Sequence, residues 1–319
     1  MIPIEPEPGN AGAGNRNFKR EFRLRRSSFF YCYLKNLMAK LNWQIGCSGF
    51  YYKEWKGIFY PESLPQKEWF KFYAENFNTL ELNVTFYRFP VLKSLETWYN
   101  TTPGNFSFAV KAPRLITHYK KFTDCTRLID DFYTLVSRGL REKLGPILFQ
   151  LPPKYSFTVE RLELITKSMY KEFKNVLEFR DASWWIPQVF DHSQKEKFIF
   201  CGIDYPGLPN EAIITNQTVY YRFHGRPRLY YSAYKKDELN IIADNLLANK
   251  KITDAYIFFN NTATQAAIKN ATWLKKYISS YIGLLYLTCH PLQKKVRLFV
   301  LPQYFLIIGR LHLRQILFV

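Results

Sequence analysis

Residues 79–90 read TLELNVTFYRFP. Leu80 and Leu82 alternate with Glu81 and Asn83, and that period of two specifies a strand with one apolar and one polar face. A carboxylate and an amide on the second face are out of place in the middle of a large domain, because burying them is costly. They make sense if the polar end of the strand opens into a cavity.

The same arrangement recurs along the chain. Seven further short β-like runs are WQIGCS (43–48), FSFAVK (106–111), GPILFQ (145–150), NVLEFR (175–180), FIFCGID (198–204), TVYYRFHG (218–225) and DAYIFFNN (254–261). Helix-like segments separate most of them. Residues 65–77 open with Pro65 at a helix-start position. Residues 92–99 follow the second strand, and residues 124–138 carry Leu128, Phe132 and Leu135 at helical spacing. Residues 158–172, 183–195, 235–250 and 264–279 supply four more. Only residues 205–217 read as a loop. Strands alternating with helices specify a parallel sheet. Eight such units in about 240 residues match a single (β/α)8 TIM barrel, an α/β fold. A doubly wound open sheet is the alternative, but the chain has no GxGxxG turn and no P-loop.

The chain has 319 residues, 47% of them hydrophobic, which is enough for a sizeable core. Its formal charge of +19 is uneven. Residues 1–42 hold 8 basic and 3 acidic residues, and residues 280–319 hold 5 basic and none acidic. The middle keeps 32 basic and 23 acidic residues, a moderate excess that suits an anionic ligand or a lysine-rich solvated surface. Five cysteines, far apart and without a CxxC pair, indicate neither a zinc site nor a disulfide framework. A reduced, cytoplasmic setting is expected. Residues 1–42 begin with a Pro- and Gly-rich run and are expected to be a disordered or non-native extension, with Met38 an alternative start. Residues 280–319 are expected to be an apolar appendage. Their run Leu298–Gly309, broken by Pro302, is too short to be read as a membrane span.

In a strand, residues i and i+2 share a face. Applied to each strand end, this groups Gly46 with Ser48, Glu81 with Asn83, Ala109 with Lys111 and Leu148 with Gln150. It also groups Glu178 with Arg180, Gly202 with Asp204, Tyr220 with Arg222 and His224, and Phe258 with Asn260. In a barrel these polar ends surround the C-terminal mouth, where barrel enzymes place their sites. Glu81, Glu178, Asp204 and His224 are therefore candidates for acid/base work. Lys111 can contact an anion or, with a lowered pKa, act as a Schiff-base amine. Ser48, Asn83, Tyr87, Gln150, Arg180, Arg222 and Asn260 are candidate substrate contacts. His118, in a loop seven residues beyond Lys111, is another. Three carboxylates with a histidine could hold a divalent metal, but no motif fixes metal-ligand spacing, so the cofactor stays open. Ion pairs such as Glu178–Arg222 or Asp204–Arg180 can also simply fill a barrel interior, although eight ends of one polarity weigh against that for the whole set. Aromatics in the same loops, including Trp55, Tyr60, Phe86 and Trp184, suit either stacking on a sugar or base, or plugging the barrel.

These residues carry a family resemblance. IGCSGFYYKEWKGIFYP, TLELNVTFYRFP, FAVKAPRLITH, GPILFQLPP, LEFRDASWW, YYRFHG and YIFFNN resemble, in order and from about Trp43 to Ser279, the motifs of domain-of-unknown-function family 72, the YecE-like proteins. The resemblance implies a TIM barrel and a loose grouping with sugar isomerases, but no established activity. It marks the candidate acid/base and substrate-contact residues above, together with Gly46, Gly49, Thr85, Phe86 and Pro152. The resulting expectation is an enzyme acting by acid/base chemistry on a small anionic or sugar-like substrate at the barrel mouth. The alternative is a nucleic-acid-binding or processing protein.

Overall fold

The computed structural model describes residues 41–289. The expectations for residues 1–40 and 290–319 lie outside the described residues. All eight expected strands are present: β1 (Asn42–Cys47), β2 (Thr79–Leu82), β3 (Ser107–Lys111), β4 (Leu144–Gln150), β5 (Asn175–Glu178), β6 (Ile199–Asp204), β7 (Thr218–Phe223) and β8 (Asp254–Phe259). They form one sheet in the order β1-β8-β7-β6-β5-β4-β3-β2, every pair parallel. This is a nearly closed barrel.

The helices are α1 (Trp69–Asn76), α2 (Val84–Tyr87), α3 (Leu92–Thr101), α4 (Thr126–Leu140), α5 (Val159–Lys167), α6 (Pro187–Glu196), α7 (Lys236–Ala248) and α8 (Ala266–Cys289). Local chemistry sets several of their limits. The Thr158 side chain caps α5 by accepting from the Arg161 N–H, and Pro187 opens α6. A left-handed Lys197 ends α6. The α4 face formed by Ile129, Phe132, Tyr133 and Val136 is buried against the sheet, where Phe132 and Tyr133 meet Phe149 of β4. No helix lies between β6 and β7, as the sequence indicates. Among the described residues no helix is long and apolar enough to cross a membrane.

The barrel closes between β1 and β2 with little ladder. One parallel bridge pairs Ser48 with Glu81. Deeper in the seam a phenol replaces backbone pairing. The Tyr73 hydroxyl of α1 accepts from the Cys47 N–H at 2.8 Å and donates to the Thr79 carbonyl at 3.1 Å. Gly46 permits this approach, since a Cβ there would overlap the Thr79 carbonyl oxygen.

Below the mouth the interior is apolar. Ala109, Leu148, Val176, Ile199, Cys201, Ile203, Tyr220, Tyr256 and Phe258 form one buried cluster from six strands. The cluster fixes which residues point inward. Seven strands follow the alternation read from sequence, and β6 does not. Ile199, Cys201 and Ile203 face in, so Gly202 and Asp204 face out. The cause lies in the sixth connection. Without a helix there, loop backbone lies on the outer face of β6, close enough that a Cβ on Gly202 would meet Ala212 and the Glu211 carbonyl. A glycine and a carboxylate are tolerated where a helix would demand bulky apolar groups.

Candidate active site

Four of the inward strand ends, those of β1, β2, β5 and β7, build a hydrogen-bonded layer just inside the mouth. Glu81, at the end of β2, accepts from Ser48 Oγ at 2.6 Å, from the Tyr220 hydroxyl at 2.5 Å and from Arg222 Nη2 at 2.6 Å. Glu178, at the end of β5, accepts from Arg180 Nε at 2.7 Å and from Arg222 Nη1. Arg222 thus spans both carboxylates from the opposite wall, and it is wholly buried with them. Burial alone would raise the Glu178 carboxyl, but Arg222, then Arg180, beside it hold it well below the usual carboxylate range. Reciprocally, Glu178 and Glu81 outweigh burial and keep the Arg222 guanidinium charged.

His224 sits two residues beyond Arg222 on the same face. Its Nε2 lies 3.0 Å from Arg180 Nη2 and 3.2 Å from Arg222 Nη1, so it accepts from guanidinium groups. Its Nδ1 lies 3.3 Å from the Arg222 carbonyl oxygen, which places the proton there. Burial, then Arg222, drives its pKa well below the ordinary histidine value. His224 is a neutral acceptor whose lone pair is engaged, and this removes it from the simple proton carriers.

Above this layer the mouth opens. Asn83, Phe86, His118, Arg180, Tyr205, Tyr230 and Asn260 are half-buried around it. Asn83 Nδ2 reaches Asn260 Oδ1 at 3.5 Å, and Arg180 Nη1 reaches the Tyr230 hydroxyl at 3.3 Å. Both contacts are long enough for a ligand to replace. The Arg180 guanidinium carbon lies 4.8 Å from the Tyr205 ring centroid. Gln150 Nε2 lies 3.5 Å from His118 Nε2, and Thr117 Oγ1 lies 2.9 Å from His118 Nδ1. Burial first, and then Lys111 and Arg180, bring His118 down to about 4, so it is neutral at pH 7. Tyr87 is exposed at the rim, and Arg114 stands between it and Tyr119.

Lys111 occupies the boundary between the two layers. It is 7% exposed, and among the described residues its amine has no hydrogen-bond or ion-pair partner. Its near neighbour is the Phe86 ring, 4.2 Å from Nζ. Burial and then Arg222, with Arg180, lower its pKa from 10.5 to about 7, against the opposing pull of Glu178 and Glu81. The mouth therefore carries three cations, Lys111, Arg180 and Arg222, against two carboxylates.

Of the thirteen residues singled out from the sequence, one is not brought to this site. Asp204 lies on the outer face of β6, paired with Arg226 and bonded by the Tyr234 hydroxyl. Burial raises its pKa, and Tyr234 and Arg226 restrain the rise. Arg222, expected among the substrate contacts, is instead sealed beneath them. The carboxylates and histidine that raised a divalent metal are not one donor set. Among the described residues no three His, Cys, Asp or Glu side chains gather to hold a metal. Tyr220 and Tyr205 were missed, although Tyr220 stands two residues before Arg222 on the same face. Trp55, Tyr60 and Trp184 are fully buried and plug the barrel walls rather than lining the mouth.

A closed parallel barrel with a polar constellation at its C-terminal mouth is the architecture of TIM-barrel proteins. The chain belongs to the family described as Protein of unknown function DUF72, whose model matches residues 44–291. It is 25% identical over 262 residues to UPF0759 protein YunF of Bacillus subtilis, covering 71% of this chain and 92% of that relative. It is 28% identical over 149 residues to UPF0759 protein YecE of Escherichia coli O157:H7, covering 46% of this chain and 52% of YecE. Among solved structures, a DUF72 family protein from Thermotoga maritima superposes with a TM-score of 0.67 at 29% identity, over 75% of this chain and 99% of that one. One from Enterococcus faecalis, at 20% identity and a TM-score of 0.66, shares the fold.

Proposed function

We propose that the protein is an enzyme acting by acid/base chemistry on a small anionic, sugar-like substrate held at the barrel mouth. The carrying observation is Lys111: a buried amine, without a polar partner, facing the open layer. An isolated buried ammonium is expensive unless a ligand compensates it. A substrate anion supplies that compensation, and the surplus positive charge of the mouth favours it. With its pKa brought down to about 7, Lys111 can take or give a proton near neutral pH. Glu81 and Glu178 hold the cationic frame in place, while Asn83, Gln150, Arg180, Tyr230 and Asn260 supply hydrogen bonds suited to hydroxyls. The protein's setting in the cell is proposed to be cytoplasmic, in keeping with its scattered, unpaired cysteines.

Thermal denaturation of the full chain against phosphorylated pentoses and hexoses tests this reading. Binding to the native state alone raises the midpoint, by about 2.7 kcal/mol of stability at a hundredfold excess over Kd. A saturable rise is expected, lost in Lys111→Met and kept in Asp204→Asn. An unchanged rise in Lys111→Met, or none with any of these ligands, overturns it.

A further inference from the structure

Resting on that reading, we propose that Lys111 is a covalent catalyst, and that the substrate is a small anionic aldehyde or ketone whose carbonyl carbon its amine captures as an iminium.

The argument is geometric first. A lysine used only to bind an anion is served best by an exposed, flexible, fully charged ammonium. Lys111 is the reverse. It stands on β3, the residue is 7% exposed, and the Phe86 ring lies 4.2 Å from its amine. Its backbone is also pinned, because Thr85 Oγ1 donates to the Lys111 carbonyl at 2.6 Å and to the Leu82 carbonyl at 2.9 Å. The amine is held at one point between a charged layer below and an open layer above.

The surrounding charges favour the nucleophilic form. Lys111 faces Arg222, Arg180, Glu178, Glu81 and His118. The two carboxylates are already engaged by the guanidinium groups, so neither forms an ion pair with the amine. His118 is neutral. A desolvated lysine beside other cations loses its proton readily, and the free amine attacks carbonyl carbon. The ordinary value of 10.5 falls to about 7 here, in keeping with that arrangement.

The step consumes one proton, taken from the buffered solvent, and needs no other co-reactant. The amine nitrogen bonds to the carbonyl carbon while the C=O π pair moves to oxygen. That oxygen takes up the proton released by nitrogen, giving a neutral carbinolamine. The C–O bond then breaks, hydroxide leaves and is protonated to water, and the nitrogen lone pair forms the C=N bond of the iminium. The iminium withdraws electrons from the adjacent carbon, which makes its C–H or C–C bond the reactive one. The substrate's anionic group falls to the Arg180 edge of the mouth, whose long contact with Tyr230 can be exchanged.

Reductive trapping tests this. The full chain is incubated at pH 8 with glyoxylate, pyruvate or dihydroxyacetone phosphate and sodium cyanoborohydride, then digested and mapped by mass spectrometry. The expected result is a reduced adduct on Lys111 at least tenfold more abundant than on any other lysine, with at least one probe. Carbonyl-free sugar phosphates should compete it away. Adducts spread evenly over surface lysines, or none on Lys111 with all three probes, overturn covalent capture. If the sugar phosphates still raise the melting midpoint in a Lys111-dependent way, the acid/base reading survives that failure. If they do not, both fall.

Discussion

Arg222 and Lys111 are both inward-facing cations on barrel strands, and their surroundings separate two regions of one mouth. Arg222 lies in a sealed layer, where both of its terminal nitrogens meet carboxylates. Lys111 lies at the boundary with the open layer and has no polar partner. In the sealed layer the carboxylates of Glu81 and Glu178 are matched by Arg222 and Arg180, and only Arg222 Nε is left without a partner. The open layer is one charge out of balance and needs a ligand. Burial alone therefore does not mark a functional residue here. The mark is burial without a partner.

Variants should move the two layers in opposite directions. The largest effect is expected for Arg222→Met, which leaves buried Glu81 without a cation and Glu178 with Arg180 alone. Breaking a buried pair in this way costs about 3–5 kcal/mol, a drop in melting midpoint on the order of 10 °C for a domain of this size. A stability within error of the parent chain would show that the sealed layer is not held by this bridge. A smaller effect of opposite sign is expected for Lys111→Met. It removes a desolvated, unpaired group, so stability at pH 7 should rise by about 1–3 kcal/mol while ligand binding is lost. The pH dependence sharpens the contrast. Unfolded, Lys111 holds its proton up to about 10.5, and folded it gives it up at about 7. Between those values unfolding takes up a proton, so this group makes stability increase with pH. Denaturant titrations at pH 7 and pH 9 should show a steeper gain for the parent chain than for Lys111→Met. Equal gains would remove Lys111 as a titrating group. The smallest effect is expected for Asp204→Asn, within about 1 kcal/mol, since its Arg226 partner is exposed. A loss of ligand binding in Asp204→Asn would bring the outer carboxylate back into the site.

Much of this was legible in the sequence. Strand positions, the helix-free sixth connection and the inward face of seven strands all follow from residue alternation and from Gly, Pro and polar punctuation. Glu81, Glu178, Arg180 and Arg222 converge because topology forces strand ends together. Asp204 was misplaced for a specific reason. In FIFCGID apolar residues occupy both faces of the strand, so alternation gives a period without a phase. The phase was set by a loop packing on the outside, which period-two reasoning does not see. The role of His224 was also illegible. Its position was clear, but two guanidinium groups occupy its lone pair, and that depends on side-chain reach rather than on register. The unpaired state of Lys111 was hidden for the same reason.

The Tyr73 phenol bears on how the two ends of the sheet are joined. A closed barrel has no free strand edges, and open sheets present rows of unpaired N–H and C=O groups that template association. Between β1 and β2 the barrel has one backbone bridge, the tyrosine hydroxyl, and side-chain bonds from Ser48 to Glu81 and from Asn78 to the Trp43 carbonyl. With that clasp released, the sheet order leaves β1 and β2 as two bare edges, one presenting Cys47 and the other Thr79. A single oxygen from α1 thus spans the gap between the two edges, a service separate from anything done at the mouth.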